Sequence, residues 1–105
     1  MSETRHDVGA VDDFAADSLT QREVAGQEIV VVRQGDRFYA VPDRCTHAKY
    51  PLHDGELMEG KIKCIHHGAT FDLETGKPTM PAMKKIRLFG AEIDGDRVIV
   101  TLQEA

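Results

Sequence analysis

The chain has 105 residues, 41% of them hydrophobic and 30% charged, which is the composition of a folded domain rather than of a disordered segment. Its formal net charge of -5 lacks the basic footprint that binding to nucleic acid requires, so no nucleic-acid partner is expected. The longest apolar run, Ile29-Val30-Val31-Val32, is strand-sized and far short of the ~20 residues that span a bilayer, so no membrane association is expected either.

Along the chain the signals are those of short strands and turns. Residues 1–13 have no positively charged start followed by an apolar stretch, which argues against an export signal and for a cytoplasmic location. Strand-like patterning occurs at 7–11 and 19–24, and between them 12–18 has helical spacing for one short turn at most. The β-branched run 28–33, the turn Gln34-Gly35-Asp36 and the run 37–41 ended by Pro42 predict a hairpin. A short strand at 70–71 leads into a turn over Asp72-Leu73-Glu74-Thr75-Gly76-Lys77-Pro78. Residues 89–93 and 97–102 flank Asp94-Gly95-Asp96 and predict a second hairpin, because glycine accepts positive φ without steric cost. No internal repeat and no linker divide the chain, so 1–105 reads as one all-β domain, an antiparallel sandwich or small barrel. The segment from about 43 to 83, with little strand periodicity, reads as an insertion between the two hairpins.

That insertion concentrates the chemistry. Both cysteines and four of the five histidines lie between 45 and 67. Cys45-Thr46-His47 is a C-x-H pair, and Cys64-Ile65-His66-His67-Gly68 contains a C-x-x-H pair. Two cysteines in a reducing compartment are not expected to form a disulfide, and flanking histidines point to metal. Two thiolates with two imidazoles suit a tetrahedral zinc site, or an iron–sulfur centre in which two histidines replace two cysteines on one iron. Zinc fingers usually present the cysteines first and the histidines later on a helix, whereas here each loop supplies one of each and no helix is predicted after Cys64.

Cys45-Thr46-His47, Leu52-His53-Asp54-Gly55-Glu56-Leu57, Ile62-Lys63-Cys64-Ile65-His66-His67-Gly68-Ala69-Thr70-Phe71-Asp72 and Thr75-Gly76-Lys77-Pro78 together resemble a Rieske-type ferredoxin. The subgroup most similar is the ferredoxin component of bacterial aromatic ring-hydroxylating dioxygenase systems. The resemblance covers essentially the full length, with two departures: Ile65 where proline is common and Ala48 where glycine is common. It implies a Rieske-type fold whose inserted subdomain binds one [2Fe–2S] cluster through two loops, with Cys45 and Cys64 on the inner iron and His47 and His67 on the outer one. His66, His53 and His6 are read as solvated side chains; Leu52, Met80 and Met83, with Tyr50 and Pro51, form either an apolar rim for docking or packing beneath the loops.

Rieske proteins of respiratory complexes add a cysteine to each loop, whereas this chain has Tyr50 and His66 near those positions. They also carry hydroxyl donors where this chain has Ala69 and Phe71. Donors near the sulfurs stabilise the reduced, more negative cluster, so their absence implies a potential at the low end of the Rieske range, about -150 mV. The function implied is a one-electron carrier between a flavin-dependent ferredoxin reductase and a terminal oxygenase with its own Rieske centre. The carrier itself is not expected to be an enzyme, because the 38 residues after His67 leave no room for a domain holding a mononuclear iron. A Rieske subunit of another redox complex, such as a nitrite reductase small subunit, and a structural zinc module are the alternatives.

Overall fold

The run Ile29-Val30-Val31-Val32 organises the molecule. All four side chains are fully buried in the computed structural model, which describes residues 2–44, 51–64, 69–79 and 85–104. A strand that alternates core with solvent buries every second residue, so four in a row require cover on both faces. The run lies in β3 (Gln27–Gln34), between β2 (Ser18–Val24) and β4 (Arg37–Pro42) in an antiparallel sheet of order β2-β3-β4.

One cover is a second antiparallel sheet, in which β1 (Ser2–Ala10) and β8 (Gly90–Asp94) flank β9 (Arg97–Glu104). Ile29 and Val31 of β3 and Phe38 and Ala40 of β4 pack with Val98, Val100 and Leu102 of β9, and with Phe14 and Phe89. A bridge between Ala40 and Phe89 joins the two sheets, with the Phe89 N–H donating to the Ala40 carbonyl at 2.8 Å. Both hairpins predicted from the sequence are present, and the predicted turn at 12–18 begins as a 3-10 turn at Val11–Asp13.

The other cover is a small sheet within the insertion: β5 (Glu56–Met58), β6 (Lys61–Lys63) and β7 (Thr70–Asp72), antiparallel in that order. Val30 and Val32 from β3 and Val41 from β4 pack with Ile62, Cys64, Ala69, Phe71 and Leu73. Only the third of these strands is predicted from the sequence. The others are three residues long, and each turns one apolar side chain inward, Leu57 or Ile62, which is too little for alternation to register. Gln34 ties this sheet to the hairpin beneath it, its amide N–H donating to the Met58 carbonyl and its amide oxygen accepting from the Gly60 N–H.

After β7 the chain turns back on itself. Asp72 Oδ1 accepts from the N–H groups of Glu74 and Thr75, and Gly76, at φ +78°, closes the turn. The Ile86 N–H donates to the Gly76 carbonyl at 2.9 Å, and a Cβ on Gly76 would stand 2.4 Å from the Ile86 carbonyl oxygen. Glycine is needed there both for its dihedral and for its absent side chain. Gly76→Ala is therefore expected to cost about 2–4 kcal/mol in urea unfolding. Gly95→Ala, also at positive φ but with open space around it, is expected to cost about 1 kcal/mol. Equal costs would contradict this account of the turn.

Candidate metal centre

Of the four predicted ligands, Cys64 lies among the described residues. Cys45, His47 and His67 lie outside them, as do His66, Tyr50, Met80 and Met83. Among the described residues no three metal-ligating side chains converge.

Cys64 follows β6 directly. Ile62 points into the core, and the two-residue period of the strand puts Cys64 on the same inner side, where both are fully buried. The Cys64 N–H donates to the Ala69 carbonyl at 2.7 Å, which holds together the two residues that flank Ile65-His66-His67-Gly68 in the sequence. The thiol is free, and its surroundings are apolar: Ile62, Ala69, Phe71 and Leu73 share its cluster. Neither Ala69 nor Phe71 carries a hydroxyl, and both are fully buried. Beyond β7, Thr79 is tied to Thr70: the Thr79 N–H donates to the Thr70 carbonyl, and the Thr70 N–H to the Thr79 hydroxyl. Pro78 bridges Phe71, so Pro78 and Thr79 are fixed against β7.

The donor chemistry fits a Rieske cluster. Cys64 offers a sulfur donor shut away from water, with a histidine three residues further on in sequence, and the C-x-H pair at 45–47 would supply the second thiol and second imidazole.

Of the two roles open to Leu52, a docking rim or packing beneath the loops, the structure shows the second: it is completely buried and packs among Val30, Ile62 and Phe71. A 3-10 turn over Leu52–Asp54 points it inward, where an apolar side chain gains more than it would in solvent. Pro51 beside it is half-buried. His53, read as solvated, is bound to Asp43. The His53 backbone N–H donates to Asp43 Oδ1 at 2.8 Å, and its Nδ1–H donates to Oδ2 at 2.5 Å. The Asp43 side chain has no exposed surface, whereas the His53 side chain is 34% exposed. His6, on β1, pairs with the Thr4 hydroxyl.

Asp43 is a functional candidate that patterning does not reveal: it is a buried polar residue among apolar ones, and only its place two residues before Cys45 sets it apart from the exposed acids nearby.

The Asp43 hydrogen bond raises the His53 pKa above its ordinary value of 6.5, with Asp54 and Glu28 adding to the effect. A histidine whose folded pKa is raised contributes stability that is fully present below its unfolded pKa and is lost as pH rises through the folded value. Relative to His53→Asn, which does not titrate, the native chain is expected to keep its full advantage below the ordinary histidine pKa of 6.5 and to lose it as pH rises above that value. Thermal unfolding of the two proteins on both sides of that value is the check, and a constant difference would contradict it.

The chain matches the Rieske [2Fe-2S] domain family over residues 4–90. It is 34% identical over 92 residues to the ferredoxin component of biphenyl 2,3-dioxygenase from Rhodococcus jostii (strain RHA1), covering 87% of this chain and 86% of that one. Among solved structures, the ferredoxin of carbazole 1,9a-dioxygenase from Nocardioides aromaticivorans IC177 superposes with a TM-score of 0.87 at 34% identity, covering 92% of this chain and 96% of that one. A chain from the complex of reduced oxygenase and oxidized ferredoxin in carbazole 1,9a-dioxygenase superposes with a TM-score of 0.84 at 32% identity, over 91% of each chain. With the three-layer fold, the buried Cys64 and the paired Cys–His motifs already pointing the same way, these matches place the chain in the Rieske [2Fe–2S] family.

Proposed function

We propose that this protein is a diffusible, cytoplasmic one-electron carrier. It accepts electrons from a flavin-dependent ferredoxin reductase and passes them to the Rieske centre of a terminal ring-hydroxylating oxygenase. The observation that carries this reading is the end-to-end correspondence with a dioxygenase ferredoxin component, 87% of this chain against 86% of that one. The solved complex of oxygenase and ferredoxin supports the choice of an oxygenase as acceptor. The oxygenation itself belongs to the partner. Among the described residues no helix is long and apolar enough to cross a membrane.

Cys45 and Cys64 supply the thiolates and His47 and His67 the imidazoles for one [2Fe–2S] cluster, held in the subdomain of about 43–83. When bound, the cluster supplies reversible one-electron redox chemistry. The chain does the rest. The Cys64–Ala69 backbone bond holds together the two residues that flank the second ligand segment in the sequence, and the Thr70–Thr79 pair fixes Thr79 against β7. Ala69 and Phe71 offer no hydroxyl donor, which favours a low potential.

Anaerobic mixing with a flavin-dependent ferredoxin reductase and NADH is expected to bleach the protein by about one electron per chain. Adding an oxidised terminal oxygenase of the biphenyl or carbazole type is expected to restore its colour. Failure of the reductase to bleach it, or of both oxygenases to reoxidise it, would overturn the proposal.

A further inference from the structure

Asp43 and His53 have no part in the electron-carrying role described above, yet burying a carboxylate is costly unless its oxygens are hydrogen-bonded. Asp43 has no exposed side-chain surface, and one residue serves both its oxygens: His53 donates its backbone N–H to Oδ1 and its Nδ1–H to Oδ2. Asp43 is in turn fixed to β3, its own N–H donating to the Glu28 carbonyl at 3.1 Å. His53 sits in the 3-10 turn whose Leu52 is locked into the core. The carboxylate therefore joins the end of the β3–β4 hairpin to that turn, and the chain between the two carries Cys45 and His47.

We propose that Asp43 and His53 are positioning residues that clamp the two ends of the first ligand segment and so govern how long the cluster is retained, an inference that rests on the ligand assignment above. Separating a thiolate and an imidazole from iron requires their backbone to move away. Holding both ends of a ten-residue span denies the released segment much of its conformational freedom and keeps its donors at high local concentration. Opening the clamp leaves a buried carboxylate short of a partner, and hydrogen bonds to charged groups are among the more costly to break.

The test is the rate at which cluster absorbance decays in excess iron chelator, measured on holoprotein. His53→Ala is expected to release its cluster about tenfold faster than the native chain, the factor that one charge-assisted hydrogen bond carries. His53→Asn, whose side-chain amide N–H can replace Nδ1–H towards Asp43, is expected to bring the rate back towards native. Val98→Ala, a cavity in the opposite core, is expected to lower the melting temperature without speeding release. Release at the native rate from His53→Ala, no recovery in His53→Asn, or equal acceleration in Val98→Ala would each overturn the clamp. Should His53→Ala yield no holoprotein, Asp43→Asn takes its place: faster release supports the clamp and the native rate overturns it. Failure of the ligand assignment looks different, because His47→Ala would then keep the Rieske spectrum whatever the clamp variants do.

Discussion

His47→Ala and His67→Ala are each expected to abolish the Rieske signature almost completely, whereas His66→Ala leaves it intact. An iron held by two imidazoles cannot keep its ligand field or its potential when one is lost, because alanine offers no donor and water is a weak substitute. The informative comparison is between adjacent residues. His66 and His67 have the same side chain and both lie in sequence between Cys64 and Ala69, so nonspecific damage to that segment affects both variants alike. His67, at the C-x-x-H spacing, is the proposed ligand of the two. EPR of the dithionite-reduced variants separates the cases, and loss of the signal in His66→Ala with retention in His67→Ala would reverse the assignment.

Leu52→Ala is expected to destabilise the holoprotein by about 2–5 kcal/mol, the range for deleting a fully buried leucine side chain. Leu52 is 0% exposed and meets Val30 of β3 and Ile62 of β6, so its removal opens a cavity between the two sheets beside the ligand turn. Leu52→Met keeps the volume and is expected to cost less than about 1.5 kcal/mol. Were Leu52 a docking residue, as its place beside the first ligand motif suggests in the sequence, alanine would weaken partner binding and leave stability unchanged. Melting temperatures at one fixed scan rate, compared with affinity for the oxygenase, decide between the two roles.

The same residue shows what sequence patterning conveys and what it does not. Ile29-Val30-Val31-Val32 announces a strand covered on both faces, because no half-exposed strand tolerates four consecutive apolar residues. Asp94-Gly95-Asp96 announces its hairpin through the one dihedral that glycine accepts readily. The paired Cys–His motifs point by donor chemistry to a metal, zinc or a two-iron cluster, and the order of ligands and the family resemblance favour the cluster. Leu52, Asp43 and His53 are different, since their roles depend on which distant residues they meet. Leu52 packs against residues that lie on either side of it in sequence, and Asp43 finds its partner ten residues away across a ligand segment. Short strands such as Lys61-Ile62-Lys63 carry too few residues to display a period, and their pairing is set by the sheet they join.

One two-iron cluster held by two cysteines and two histidines has a definite stoichiometry, which iron, zinc and acid-labile sulfide measured in freshly purified protein would reveal. The expected result is about two irons and two sulfides per chain with no stoichiometric zinc. Zinc without sulfide, or protein with neither metal, would contradict it.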